Sequence, residues 1–95
     1  MKQLITINGH DYEILENERD AVQEEEISER YSDILKKYDY IVGDWGYGQL
    51  RLKGFYEANH PKVSFDTNIT MLDDYLYEYC NFGCAYFILK KQHQA

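Results

Sequence analysis

The segment YDYIVGDWGYGQLRLKGFY, residues 38–56, decides the fold class, because two strand-like runs surround a glycine-rich stretch. Its second run alternates apolar and charged side chains in the order Leu50, Arg51, Leu52, Lys53. A period of two is typical of a strand with one face in the core and the other in solvent. The segment therefore predicts two consecutive strands, residues 40–45 and 49–56, with Arg51 and Lys53 pointing away from the core.

The glycine-rich stretch GDWGYG, residues 43–48, invites comparison with a phosphate-binding loop. Such a loop is followed directly by a helix, whose N-terminal N–H groups and dipole hold the phosphate. Here a strand follows, and no Lys-Ser or Lys-Thr pair stands in the Walker position. The stretch is therefore predicted to be a turn between strands, with Gly46 or Gly48 at positive φ or in a bulge.

The N-terminal part of the chain predicts a hairpin and a helix. Residues 4–7 and 11–15 have the composition of strands, and they flank Asn8-Gly9, a pair typical of two-residue hairpin turns. The helix is predicted to run to about Lys37, because apolar side chains recur before it at helical spacing. These side chains are Ile27, Tyr31, Ile34, Leu35 and Tyr38.

The C-terminal part predicts a short strand at Val63 and Phe65, a second helix and a last strand. The second helix has an apolar stripe of Ile69, Leu72, Leu76, Tyr79 and Cys80. Residues 84–89 are nearly all apolar, as in a central strand covered on both faces. The predicted fold is one α+β domain, residues 1–95, with a mainly antiparallel sheet and two helices in the order β-β-α-β-β-β-α-β.

The chain is acidic, and most of its acidic residues lie towards the N-terminus. The formal net charge is −7, and residues 1–40 carry 11 acids and five bases, whereas residues 41–66 carry three of each. Nucleic-acid-binding domains usually carry a basic field, so the composition favours a protein partner over RNA. Because the chain has no signal peptide and no apolar run of about 18 residues, we expect a cytoplasmic protein without membrane contact.

No catalytic or metal-binding pattern is found in the sequence. Cys80 and Cys84 form a C-x3-C pair, whereas zinc sites favour two C-x2-C pairs, and the three histidines are distant in sequence. In a reducing cytoplasm both thiols are expected to be unpaired and metal-free. No histidine stands in a nucleophile motif. We therefore predict no catalytic residue, no metal and no cofactor.

The candidate binding residues lie on the predicted hairpin and on the second helix. Tyr77 lies about 120° from the apolar stripe of that helix, so it is expected to be exposed. An exposed tyrosine beside arginine or lysine can stack on a base or anchor a protein interface. The predicted binding residues are Asp44, Tyr47, Gln49, Arg51, Lys53 and Tyr77.

Two blocks of the chain, residues 38–56 and LDDYLYEYCNFGCAYFILKK at residues 72–91, closely resemble the YutD-like family of small proteins from Gram-positive bacteria. The resemblance covers nearly the whole chain and is looser in the acidic N-terminal segment. It implies a cytoplasmic protein with an α+β fold. It supplies no catalytic or binding residue that could be transferred to this chain.

Three functions remain open on this evidence, and no oligomeric state is predicted. The favoured function is a non-enzymatic module that binds a macromolecule through the hairpin face of residues 44–53, and a protein is favoured over RNA as that macromolecule. The second is a small enzyme or ligand binder with a pocket at Asp44, Tyr47 and Arg51. The third is a structural subunit whose tyrosines all belong to the core.

Overall fold

A computed structural model describes residues 3–46, 48–79 and 84–92 of the chain. Within these ranges five strands form one sheet in the order β1-β2-β5-β3-β4, and every neighbouring pair is antiparallel. The strands are β1 Leu4–Ile7, β2 His10–Glu18, β3 Tyr40–Gly46, β4 Gln49–Phe55 and β5 Tyr86–Lys91. The same ranges contain two α-helices, α1 Glu24–Arg30 and α2 Leu72–Tyr79. The predicted α+β class is confirmed.

Both hairpins turn through residues in the left-handed region of backbone space. Between β1 and β2, Asn8 has a φ of 51° and Gly9 a φ of 84°, as a type I′ turn requires. In the second hairpin β3 and β4 pair up to Gly46 and Gln49, and Gly48 in the turn has a φ of 75°. The predicted turn with a glycine at positive φ is confirmed. Because a strand follows it, the helix N-terminus of a phosphate loop is missing here.

The strand β5 lies in the middle of the sheet, between β2 and β3, as its apolar sequence predicts. Successive side chains point to opposite faces of a sheet, and Phe87, Ile88 and Leu89 are all buried. The Phe87 ring covers Gly43, its cross-strand partner on β3. A Cβ at Gly43 would lie 2.1 Å from Cζ of Phe87, so the ring requires a glycine at this position.

Each face of the sheet carries its own core. On one face, α1 contacts both edge strands, β1 and β4, so the sheet curls around the helix. Trp45 belongs to this side and donates a hydrogen bond of 2.9 Å from Nε1 to the carbonyl of Ala21. The other face has a smaller core, in which Leu72 of α2 packs with Val42, Phe55 and Ile88.

The first helix is shorter than predicted. It ends at Arg30, not near Lys37, because Tyr31 adopts an extended backbone with a φ of −70° and a ψ of 132°. A short 3-10 turn, Leu35–Lys37, follows. The helical spacing still marks core positions, since Ile27, Tyr31 and Leu35 are buried, but Ile34 is 64% exposed.

The short strand predicted at Val63 and Phe65 is absent from this described part of the chain. A 3-10 turn, Phe65–Thr67, stands in its place, and the side chains of Ser64 and Thr67 form a capping box at its start. Local hydrogen bonds of the hydroxyl side chains thus replace a strand ladder. Apart from this strand, the predicted order of elements matches the structure.

The segment after Phe65 is tied to the end of β4 by backbone hydrogen bonds. The N–H of Tyr56 donates to the carbonyl of Thr67 at 2.6 Å, and the N–H of Ile69 donates to the carbonyl of Tyr56 at 2.9 Å. Asn68, between them, accepts a hydrogen bond from the N–H of Thr70 and begins the turn that leads into α2. These bonds set the position of α2 relative to β4.

Candidate functional site

An open groove of about 510 Å³ lies between β4 and α2, and we call it the β4–α2 groove. Among the described residues, nine line it, and they come in equal parts from β4, from the segment 65–71 and from α2. They are Arg51, Lys53, Phe55, Phe65, Asp66, Met71, Asp74, Tyr75 and Glu78. No single stretch of sequence contains the site, because three separate segments build it.

The strand β4 supplies alternate side chains to the groove. Leu50 and Leu52 pack with the core on the α1 side, so the side chains of Arg51 and Lys53 point towards α2. This confirms the predicted separation of apolar and charged side chains along β4. Because β4 is an edge strand, the groove lies at the border of the sheet.

The floor of the groove is aromatic. The rings of Phe55 and Tyr75 meet edge to face, with their centroids 5.6 Å apart and an interplanar angle of 75°. Nζ of Lys53 lies 5.4 Å from the centroid of Phe55 and 5.9 Å from that of Tyr75. A cation at this distance from two ring faces is held by their negative potential, so Lys53 is oriented along the floor.

Arg51 is held by a buried carboxylate. Its Nη2 donates a hydrogen bond of 2.5 Å to Oδ2 of Asp44, the residue opposite it on β3. The Asp44 side chain is 1% exposed and that of Arg51 is 51% exposed. Oδ1 of Asp44 has no hydrogen-bond partner among the described residues. Asp44 therefore lies beneath the surface and positions Arg51.

Three carboxylates line the groove from the 3-10 turn and from α2. Asp66 lies on the 3-10 turn, and Asp74 and Glu78 lie one helical turn apart on α2, so they share one side of that helix. All three are exposed, and no ion pair joins them to another of the described residues. The charge that the groove offers to solvent is therefore mainly negative.

The structure brings only some of the predicted binding residues together. Arg51 and Lys53 line the groove, with Asp44 beneath Arg51, whereas Gln49 is exposed at the start of β4. Tyr77 is 77% exposed, as predicted, but it is not among the lining residues of the groove. Tyr47 lies outside the described residues.

Sequence reasoning missed most of the groove. Phe65 was predicted to lie in a strand, yet its side chain is 73% exposed on the 3-10 turn. Asp66, Asp74, Tyr75 and Glu78 were not among the predicted binding residues, although all four line the groove. The sequence held two signals of this site, namely the acidic residues on one side of α2 and the isolated Phe65 before it. Neither signal locates a groove, because the groove forms only when α2 packs on β4.

Burial keeps several tyrosines neutral. Desolvation, a hydrogen bond to Glu57 and the charge of Asp39 raise the pKa of Tyr40 to about 12. Burial and the hydroxyl of Tyr31 at 3.0 Å raise the pKa of Tyr12 further. On the α2 side of the sheet, burial and then nearby carboxylates raise the pKa of Tyr86. These phenols therefore stay protonated to a higher pH than an ordinary tyrosine, whose pKa is 10.0.

His60 and Cys84 are both engaged by contacts within the protein. The imidazole of His60 stacks on Tyr56, with centroids 4.0 Å apart, and its Nδ1 accepts a hydrogen bond from the N–H of Lys62. Cys84 is disulfide-bonded, so the prediction of an unpaired thiol is wrong at this residue. A disulfide sulfur is not a thiolate and cannot ligate a metal as one. Cys80 lies outside the described residues.

The described ranges contain neither a metal-binding cluster nor a membrane-spanning helix. No group of three or more His, Cys, Asp or Glu side chains is arranged to hold a metal ion in the part of the chain that the structure describes. None of the helices in that part is long and apolar enough to cross a membrane.

A curled five-stranded antiparallel sheet, with a helix on each face and an open groove beside its edge strand, defines a small α+β protein. The chain belongs to the YutD-like family, since the family described as "Putative antitoxin YutD-like" matches residues 6–90. The resemblance seen in the sequence is thereby confirmed.

Two comparisons with individual proteins agree with this assignment. A protein of Bacillus subtilis (strain 168) named "Putative antitoxin YutD" is 59% identical over 88 residues, which cover 93% of this chain and 97% of that protein. The solution NMR structure of protein yutD from B. subtilis matches with a TM-score of 0.80 and 56% identity. The match covers 97% of this chain and 84% of that one.

Proposed function

We propose that this chain is a non-enzymatic module that captures a protein in the β4–α2 groove and neutralises it by binding. The observation that carries the proposal is Phe65, a large apolar side chain that is 73% exposed at a groove with an aromatic floor. Aromatic side chains at a concave surface are typical anchors of protein interfaces. The name of the B. subtilis relative supports the neutralising role, because an antitoxin acts on a toxin.

The charge of the chain supports a protein partner over RNA. The net charge is −7, and the three carboxylates of the groove would repel a phosphate backbone. Lys53 is oriented along the aromatic floor and Arg51 is paired with Asp44, so the cations of β4 are already engaged within the protein. The proposal keeps the cytoplasmic location that the resemblance to the YutD-like family implies, although a disulfide such as that of Cys84 is rare in a reducing cytoplasm.

The hypothesis of a ligand pocket at Asp44, Tyr47 and Arg51 has weaker support. Its proposed carboxylate, Asp44, is buried beneath Arg51 and has no exposed surface from which to reach a ligand. A structural subunit is also less well supported, because the groove exposes Phe65 and not all of its aromatic residues are packed.

The proposal is tested by capture and then by a mutation at the groove. Tagged protein is incubated with a native lysate with and without nuclease, the retained protein is identified by mass spectrometry, and its Kd is measured after purification. Phe65→Ala should weaken binding about tenfold or more, which corresponds to about 1.4 kcal/mol at an interface anchor. The fold should be unaffected, because the removed side chain is exposed.

Ile34→Ala is the matched control, since Ile34 is another exposed large apolar residue, 64% exposed and outside the groove. It should bind like the wild type. Equal binding by Phe65→Ala and the wild type would exclude the groove as the capture site. Capture that nuclease abolishes, with a steep dependence on salt, would instead identify a nucleic acid as the partner.

A further inference from the structure

We infer that the segment of the partner received by the β4–α2 groove carries an apolar side chain next to a lysine or an arginine. This inference rests on the proposed function and specifies the chemistry of the partner. The inference follows from the apolar and the charged side chains that line the groove.

The groove has an apolar lining as well as a charged one. Phe55 and Tyr75 form the floor, and Met71 lines it from the segment before α2. Phe55 is 1% exposed, so the apolar surface open to a partner comes from Tyr75, Met71 and Phe65, and methionine adapts its shape to the occupant. Phe65 adds an exposed ring at the same groove, so an inserted apolar side chain would be covered on more than one side.

The positive and negative side chains of the groove differ in whether contacts within the protein already engage their charge. On β4, Arg51 is paired with the buried Asp44 and Lys53 lies near two aromatic rings. On the 3-10 turn and α2, Asp66, Asp74 and Glu78 form no ion pair with other described residues. An ammonium or guanidinium group is therefore the complement of these carboxylates, and an acidic segment would be repelled.

The whole chain reinforces this preference. A net charge of −7 attracts a basic partner over a distance of about one Debye length, about 8 Å at physiological ionic strength. Asp74 and Glu78 stand one helical turn apart, so both carboxylates can approach a single cation. The chemistry of the groove thus selects a basic and apolar segment by attraction and excludes an acidic one by repulsion.

The test uses two synthetic peptides, GKLFKG and GELFEG, each with a blocked N-terminus and an amidated C-terminus. Each is titrated into isotope-labelled protein, and the backbone amide signals are followed by NMR. The lysine peptide is expected to shift the signals of groove residues such as Lys53, Asp74 and Glu78. The glutamate peptide is expected to bind at least fivefold more weakly. Equal binding of the two peptides, or shifts outside the groove, would overturn the inference.

A pair of charge reversals supplies the control. Glu78→Lys should weaken binding of the lysine peptide at least fivefold, whereas Asp33→Lys, the same change at an exposed acid outside the groove, should not. Glu78 lies near the C-terminus of α2, where a lysine suits the helix dipole, so α2 should stay folded. Retained affinity in Glu78→Lys would refute the role of the carboxylates.

The outcomes separate this inference from the proposed function. If a protein is captured through Phe65 but the two peptides bind equally, the capture role stands and the basic preference is refuted. If the lysine peptide binds selectively at the groove but no protein is captured from the lysate, the preference stands and the proposed function is refuted.

Discussion

At the residue scale, the ion pair between Arg51 and Asp44 links the stability of the sheet to the shape of the groove. The two residues face each other across β3 and β4, one buried and the other half exposed. A buried carboxylate that loses its cation still has the desolvation penalty of its burial. The pair therefore contributes more to the free energy of unfolding than a surface ion pair does. Arg51 is therefore both a wall of the groove and a structural residue.

Arg51→Ala should lower the free energy of unfolding by about 1–3 kcal/mol, because it leaves the Asp44 carboxylate buried without its cation. Lys53→Ala should cost less than about 1 kcal/mol, since only a cation–π contact at a partly exposed site is lost. Urea titration of both variants measures the difference. The double variant Asp44→Ala with Arg51→Ala should be less destabilised than the sum of the two single changes. Equal stability of Arg51→Ala and Lys53→Ala would show that Asp44 does not depend on Arg51.

At the scale of the element, α2 depends on its first turn. Leu72 begins the helix and is buried against Val42, Phe55 and Ile88, whereas Leu76, one turn later, is only partly buried. Of the predicted apolar stripe, Leu72 is buried and Ile69 and Leu76 are partly buried, whereas the side chains of Tyr79 and Cys80 are outside the description. The helix closes one side of the groove, so its attachment at Leu72 determines whether the groove exists.

Leu72→Ala should lower the free energy of unfolding by about 2–4 kcal/mol, because it removes buried apolar surface and leaves a cavity. Leu76→Ala should cost clearly less, since part of its side chain is already in water. Denaturant titration compares the two variants directly. A larger loss in Leu76→Ala would mean that α2 packs on the sheet through its second turn.

At the scale of the whole molecule, buried hydroxyl groups connect elements that are distant in sequence. The hydroxyl of Tyr40 at the start of β3 donates a hydrogen bond of 2.7 Å to Glu57 after β4. The hydroxyls of Tyr12 and Tyr31 lie 3.0 Å apart between β2 and the residue after α1. In the folded protein these phenols thus stay protonated at pH values at which the same tyrosines are ionised in the unfolded chain.

Stability should therefore fall at alkaline pH. The pKa of Tyr40 rises from 10.0 to about 12, so the folded state retains a proton that the unfolded state loses. A raised pKa contributes stability that is complete below pH 10, and this contribution is lost as the pH rises from about 10 to about 12. In Tyr40→Phe this loss should be smaller, as measured by denaturant titrations at several pH values and by phenolate absorbance. An identical pH dependence in the two proteins would contradict the raised pKa of Tyr40.

The local elements of this fold were open to prediction. Asn8-Gly9 specified a hairpin because only residues tolerant of positive φ suit a type I′ turn, and the alternation at Leu50 to Lys53 specified the two sides of β4. The end of α1 and the turn at Phe65 were mispredicted. At the turn, local hydrogen bonds of Ser64 and Thr67 outweighed the apolar spacing. Beyond the end of α1, the apolar side chains reach core positions without a continuous helix.

The sequence by itself determined the hairpins, the central place of β5 and the orientation of Arg51 and Lys53, because each depends on a pattern within a few neighbouring residues. Only the tertiary structure decided that Asp44 is buried beneath Arg51, and that Phe65, Lys53 and the acids of α2 line one groove. These arrangements join residues from separate segments. They depend on how α2 packs on the sheet and on which charges lose contact with water, and neither is encoded in local spacing.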